Sequence, residues 1–431
     1  MKKRKELRHM VIVSTILVIA LVSGVSGASV VEEFQITTDS DVQYRPAIFG
    51  NFVVWQDERN GPGNDDIYGY NLFTQEEFQI TTNRDHQEQP AIFGNTVVWQ
   101  DKRNGAANLD IYGFNLSTET EFQITTNQNS QKQPAIYGSI VVYEDSRNGN
   151  VDIYGYNLST ETEFPICMNT SNQYRPEIYG NIVVWYDDRN GNIDIYGYNL
   201  SEEAEFPICT NTNEQKNPDV YGNIVVWQDE RNGNLDIYGY DLFSEEEFQI
   251  TEDTDNQWRP AIFRNVVTFI DDRNGHYNIY GYEFSTEEEF QITEDTDVQK
   301  HPQIFCNVVV WQDDRNEPYD IYGAELDTNF CVPPPNTPDN PVDTNEPIKP
   351  LTSYRTSQAQ SLLDEVQKTC EQLKEENDPL YDRCCVTRLD EAVELLEKAE
   401  EFYARGNYIA ANYWALKAIE VIQQIMECSG K

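Results

Sequence analysis

The chain has 431 residues, a formal net charge of −43 at pH 7 and 12% aromatic residues. This excess of acidic residues argues against nucleic acid as a partner, because phosphate binding requires a basic surface. The aromatic content argues against a disordered acidic chain. We therefore expect a folded, acidic protein with more than one domain, for which cation binding stays open.

Residues 1–28 have the pattern of a secretory signal peptide. A basic start at residues 2–5 precedes an apolar run at 10–22 and the small residues 26–28. The apolar run is short for a membrane span, which needs about 20 residues. The sequence predicts cleavage and a mature chain without a membrane span, secreted or at the cell surface. An uncleaved anchor is the alternative.

Residues 29–332 consist of seven copies of one motif, each following a proline. The prolines are 42 or 44 residues apart, and they are Pro46, Pro90, Pro134, Pro176, Pro218, Pro260 and Pro302. A period of about 40–45 residues with four short strands is typical of a β-propeller blade. In the fourth copy we expect strands at 175–180, 181–187, 194–200 and 205–209, with the proline near the start of the first.

The outermost strand of the motif is displaced relative to the other three. Its phenylalanine occurs first at Phe34, before the first copy, and the seventh copy has none after Leu326. If residues 33–38 supply the outer strand of the last blade, the ring closes and no sheet edge stays free. The sequence therefore predicts a closed, all-β propeller of seven blades.

The run D-x-R-N-G-N-x-D-I-Y at residues 187–196 resembles the repeats of TolB-type propellers, relatives of the WD-type repeat family. It is most similar to repeats of archaeal and bacterial cell-surface proteins, over residues 33–326. The resemblance implies a propeller that binds other molecules. A TolB role is not implied, because here the extra domain follows the propeller. Polysaccharide lyases of the TolB-like group hold a metal with several histidines, and only His301 matches such a place.

The chain changes character after the repeats. Residues 333–353 are a proline-rich linker, which predicts an extended segment. Residues 354–431 have apolar residues at steps of three and four, which predicts a bundle of three helices. Together with the signal peptide and propeller, these segments complete the predicted domain organisation.

Eight cysteines in an exported chain favour disulfides. In an up-down-up bundle, one end would collect Cys370, Cys384, Cys385 and Cys428. Two disulfides are predicted there, and a four-cysteine zinc site is the alternative. Cys306 and Cys331 lie on one face of the last blade and form a further predicted pair. The pairing of Cys167 with Cys209 stays open.

The residue before each anchoring proline varies while its neighbours repeat. These seven residues are Arg45, Gln89, Gln133, Arg175, Asn217, Arg259 and His301. Since innermost strands line the channel, we expect a polar ring at one mouth. Arginines beside Tyr44, Tyr174 and Trp258 would suit an anionic or sugar-like ligand. Solvation of a wet channel is the alternative.

The repeated acidic turn offers a calcium hypothesis. In the fourth blade, hard oxygen ligands would come from Asp187, Asn190, Asn192 and Asp194. The favoured alternative is a scaffold role, in which aspartate caps the turn and arginine pairs with it. No other cofactor is expected. Four glycosylation sequons begin at Asn115, Asn157, Asn169 and Asn199.

Catalysis has little support in the sequence, because no nucleophile and base stand at a recognisable spacing. We therefore expect a non-enzymatic binding module for a polysaccharide or protein at the cell surface. The alternatives are a lyase-like carbohydrate-active enzyme working in the channel and a structural component of the envelope. The oligomeric state does not follow from the sequence.

Overall fold

The computed structural model describes residues 28–327, except 62 and 106, together with scattered positions between 363 and 425. Seven four-stranded antiparallel sheets form a seven-bladed propeller, as predicted. The described positions between 363 and 425 that carry an assignment are helical. The linker lies outside the described residues, and so does the packing of the three predicted helices. No helix in the described part of the chain is long and apolar enough to cross a membrane.

The first three blades are built from twelve consecutive strands. They are β2 (Gln43–Phe49), β3 (Phe52–Asp57), β4 (Asp66–Asn71), β5 (Glu76–Gln79), β6 (Gln87–Phe93), β7 (Thr96–Asp101), β8 (Asp110–Asn115), β9 (Thr120–Gln123), β10 (Gln131–Tyr137), β11 (Ile140–Asp145), β12 (Asp152–Asn157) and β13 (Thr162–Cys167).

Blades four to six continue in the same order. Their strands are β14 (Gln173–Tyr179), β15 (Ile182–Asp187), β16 (Asp194–Asn199), β17 (Ala204–Cys209), β18 (Gln215–Tyr221), β19 (Ile224–Asp229), β20 (Asp236–Asp241), β21 (Glu246–Gln249), β22 (Gln257–Phe263), β23 (Val266–Asp271), β24 (Asn278–Glu283) and β25 (Glu288–Gln291).

The last blade contains both ends of the repeat region. Its strand order is β1 (Val30–Gln35), β28 (Asp320–Leu326), β27 (Val308–Asp313) and β26 (Gln299–Phe305). Phe34 lies opposite Gly323 in this sheet. The predicted closure by the amino-terminal strand is therefore confirmed, and the ring has no unpaired edge at the junction.

The second strand of each blade is apolar because both of its faces are covered. Val53, Val54 and Trp55 have no exposed surface. One hydrophobic cluster joins Trp55 of the first blade to Val310 of the last. The core therefore lies between neighbouring blades, and each blade depends on the next for its burial.

Glycine in the third strand is required by the phenylalanine of the fourth. A Cβ atom built on Gly197 would lie 2.6 Å from the ring of Phe206. The same close approach occurs in every blade, which explains the repeated Tyr-Gly pair.

The inner strands differ from the prediction in where they begin. The anchoring proline lies in the middle of the strand, since β14 begins at Gln173 and contains Pro176. The register between β14 and β15 shifts between Tyr174 and Glu177, which is a β-bulge. The bulge accommodates a proline that cannot donate to the ladder.

Candidate functional site

The bulges bring the seven residues before the prolines to one cavity in the channel. The cavity has two adjoining lobes of about 100 and 250 Å³, and all seven predicted ring residues line at least one of them. Their φ angles lie between 49° and 58°. This left-handed conformation is uncommon for residues other than glycine, and here it recurs in every blade.

A side chain of the preceding blade holds most of these bulges. The backbone N–H of Arg175 donates to Oε1 of Glu144 at 2.9 Å. The N–H of Arg45 donates to Oε1 of Gln312 at 3.2 Å, which connects the first blade to the last. The sequence does not reveal this role of the second strand, because donor and acceptor belong to different repeats.

Three arginines of the ring, Arg45, Arg175 and Arg259, face the cavity and form no ion pair with any described residue. Among the described residues, seven other arginines each pair with at least one aspartate and one glutamate; they are Arg59, Arg103, Arg147, Arg189, Arg231, Arg273 and Arg315.

The ring arginines repel one another. Burial, followed by the charges of Arg175 and Arg45, lowers the pKa of Arg259 to about 10. Burial and Arg175 also lower the pKa of Arg45. An anion in the cavity would relieve this repulsion. The cavity is therefore electropositive at its mouth although the whole chain is strongly acidic.

His301 is neutral and acts as an acceptor in the ring. Burial and the charges of the three arginines lower the pKa of His301 well below its ordinary value. Nη1 of Arg259 donates to its Nδ1 at 3.0 Å, which assigns the remaining ring proton to Nε2. His276 is exposed on a turn and His86 lies between the first two blades, so the described histidines do not converge on the channel.

The aromatic residues predicted beside the ring, Tyr44, Tyr174 and Trp258, do not line the cavity in the described structure. The hydroxyl of Tyr44 lies within hydrogen-bond distance of the carboxylates of Glu58 and Asp65, at 3.1 and 3.2 Å. Tyr174 packs on Tyr186, with ring centroids 5.4 Å apart, and Trp258 packs against Tyr277. These three side chains therefore pack within their own blades and do not add an aromatic surface to the cavity.

The far end of the channel carries an aromatic ring that the sequence analysis missed. Seven side chains stand in an unbroken circle with neighbouring centroids 4.4–4.8 Å apart; they are Phe49, Phe93, Tyr137, Tyr179, Tyr221, Phe263 and Phe305. An aromatic residue three positions after every anchoring proline was the available signal. The circle lies four positions further along each inner strand than the polar ring, or about 13 Å at the usual rise per residue.

The groups of the calcium hypothesis bind protein donors instead. Asp187 accepts from Trp185 and Arg189. Both oxygens of Asp194 accept amide N–H groups, from Asn190 and Asn192, at 2.6 Å. Since the amides present nitrogen rather than oxygen to the carboxylate, the arrangement favours the scaffold role. Calcium binding stays a prediction.

One other group of ligand-type atoms converges in the described residues. Nδ1 of His86 lies 2.9 Å from Asp65 and 3.7 Å from Glu88. Asp65 also accepts from Gln56, and Glu88 accepts from Lys102 at 2.5 Å. Each carboxylate therefore has protein partners, and the group forms an ion-pair network between two blades.

The predicted disulfides are largely outside the described residues. That is where Cys331, Cys384, Cys385 and Cys428 lie, so their pairing with Cys306 and Cys370 stays a prediction. Cys167 and Cys209 are both buried free thiols. Each sulfur accepts from an arginine of the following blade, Arg189 or Arg231. Burial raises the pKa of both thiols to about 12, so neither is poised for oxidation.

These observations define the class of protein: a closed seven-bladed propeller with a cationic channel mouth and an aromatic circle at the other end of the channel. No family model matches the sequence, and no curated protein matches it as a relative. Solved structures do match. The propeller domain of the trilobed protease from Pyrococcus furiosus is 13% identical, with a TM-score of 0.54, over 67% of this chain and 94% of that one.

Two further solved structures are also similar to this chain. An oligogalacturonate lyase in complex with manganese is 12% identical, with a TM-score of 0.52, over 68% of this chain and 93% of that one. TolB from Acinetobacter baumannii is 14% identical, with a TM-score of 0.44, over 61% and 65%. At such identities the likeness shows the fold alone. The neighbours include TolB proteins, as the repeats suggested.

Proposed function

We propose that the protein is a secreted or cell-surface binding module whose channel mouth recognises an anionic group of its ligand. The observation that carries the proposal is the set of three ring arginines without acidic partners. Guanidinium groups bind carboxylates in a bidentate manner, and they do so more strongly where water is excluded. The ligand would be a carboxylated polysaccharide or an acidic segment of a protein.

The secreted or cell-surface location is also part of the proposal. It rests only on the signal-peptide pattern of residues 1–28. The scaffold suits recognition because seven blades hold the ring residues on rigid strands. A site on strands is preorganised, and little conformational entropy is lost on binding.

The test measures binding of oligogalacturonate by titration calorimetry. Substitution of Arg45, Arg175 and Arg259 by glutamine, singly and together, should weaken binding roughly tenfold for each arginine, because each loses a charge-assisted hydrogen bond. Arg84→Gln is the matched control, since Arg84 is exposed and lies outside the cavity. Unchanged affinity in the triple variant would reject the channel mouth as the site.

A lyase working in the channel is the second candidate, favoured by the acidic side chains Glu177 and Asp219 that line the cavity beside the arginines. It predicts shortening of the oligogalacturonate chain during incubation with the protein. Binding without any change in chain length supports the module instead.

A further inference from the structure

The second layer of the channel, one residue after each proline, departs from the repeat on one side. Four blades have alanine at this position and three have a polar residue; the seven are Ala47, Ala91, Ala135, Glu177, Asp219, Ala261 and Gln303. The alanines show that the fold needs only a small side chain here. A polar side chain at this position therefore needs a reason of its own, which differs between blades four and five.

Glu177 is the most unusual of these residues. Its side chain lines both lobes of the cavity, and among the described residues it forms no hydrogen bond or ion pair. Asp219, in the next blade, accepts the backbone N–H groups of Val220 and Ile262, both at 2.8 Å. Asp219 thus has a structural role, whereas the carboxyl group of Glu177 is directed at the cavity without a partner.

The surroundings of Glu177 disfavour the ionised form of its carboxyl group. Burial and the neighbouring Asp219 raise the pKa of Glu177, while Arg175 acts in the opposite direction. Burial also raises the pKa of Asp219. Glu177 is half-buried, and a cavity-facing carboxyl group with a shifted pKa and no partner among the described residues is a candidate ligand-binding group.

The order of charges along the channel is also defined. Arg175 and Glu177 are two residues apart on β14, so they face the channel at successive levels, about 7 Å apart. Arg259 and His301 line the same lobe as Glu177. A ligand that enters from the ring therefore meets cationic groups first and a carboxylate next.

We propose that the cavity binds a zwitterionic group, whose anionic end is held by Arg175 and Arg259 and whose ammonium end is held by Glu177. The ligand class is an amino acid or a chain end that carries both charges. This inference rests on the proposed function, because it uses the same arginines. The two lobes, of about 100 and 250 Å³, accommodate a group of that size.

The experiment compares matched small probes on the full chain by titration calorimetry. The zwitterions are the ω-amino acids from glycine to 5-aminopentanoate, and each is paired with the carboxylate that lacks its amine. We expect at least one zwitterion to bind about tenfold tighter than its paired carboxylate, since an ammonium–carboxylate hydrogen bond forms only with the zwitterion.

Three variants test which side chains produce the preference for the zwitterion over its paired carboxylate. Glu177→Gln should remove the zwitterion preference and leave carboxylate affinity unchanged or higher. The double variant Arg175→Gln, Arg259→Gln should weaken binding of both probes. Glu202→Gln is the matched control, because Glu202 is exposed outside the channel.

The outcomes separate the two proposals. If carboxylates and oligogalacturonate bind but no zwitterion is preferred, or if Glu177→Gln keeps the preference, the inference about Glu177 is wrong and the anion site stands. If none of these anionic ligands binds, both proposals are wrong.

Discussion

The residue before each anchoring proline adopts a left-handed conformation that side chains disfavour. Arg175, for example, has a φ of 49°. The conformation costs about 1–3 kcal/mol at each such position. It persists because the bulge is held from the preceding blade, and it aims the side chain into the channel. The strain is thus associated with the candidate site.

At the same scale, the raised pKa of the cavity-facing carboxyl group of Glu177 predicts a pH-dependent stability difference. Its pKa is raised in the folded protein, so the folded state binds its proton more tightly than the unfolded state. The resulting cost appears as pH rises above the ordinary value of 4.5 and is constant above the folded pKa. Glu177→Gln should therefore melt at a higher temperature than the parent at pH 8, by a margin that grows between pH 4 and pH 8.

The check is differential scanning calorimetry of both proteins from pH 4 to pH 8. The difference between them should be small at pH 4, where Glu177 is protonated in both states. A difference independent of pH would contradict the assignment, because only an ionising group changes its contribution over this range.

At the scale of the blade, one arginine contacts side chains on three strands. Arg189 pairs with fully buried Asp187 at the end of β15 and with partly exposed Glu205 on β17. Its guanidinium also lies 3.9 Å from the ring centroid of Tyr196 on β16. The D-x-R-N motif is therefore repeated because its arginine connects three strands in every blade.

Removal of this arginine should be costly, because it leaves a buried carboxylate without its cation. We expect Arg189→Ala to lower the free energy of unfolding by about 3 kcal/mol. Glu205→Gln removes only the partly exposed partner and should cost less than about 1 kcal/mol. Urea denaturation measures both values, and equal losses would show that Asp187 does not need the pairing.

At the scale of the whole molecule, the ring is closed by hydrogen bonds between the two strands at the ends of the repeat region. Strand β1 joins β28, and Arg315 of the last blade pairs with Glu33 of β1. The same arrangement of an arginine with an aspartate and a glutamate that connects the strands within each blade therefore also joins the two ends of the repeat region. Loss of this junction would expose the edges of two strands.

Phe34→Ala tests the junction, with Phe248→Ala as the matched control at the same repeat position in blade five. Phe34 packs against Gly323, and its loss should cost about 2 kcal/mol or more and release β1. Hydrogen exchange should then accelerate in residues 30–35 and 320–326. In the control, where the four strands of the blade are consecutive in the chain, exchange should accelerate only within blade five. If exchange accelerates only within the substituted blade in both variants, and to the same extent, the junction at β1 does not open more readily than the other blades.

The sequence by itself determined the number of blades, the order of their strands and the closure at Phe34. These features depend on periodicity and on contacts within one repeat or its neighbour, which a single chain displays directly. The tertiary structure decided which side chains meet across the ring. It placed three arginines around one cavity, where none of them forms an ion pair among the described residues, set Glu177 in the next layer, and turned Tyr44, Tyr174 and Trp258 away. The physical reason is that residues more than 40 positions apart converge only when seven blades close, and the bulge in each inner strand then determines which side chains reach the channel.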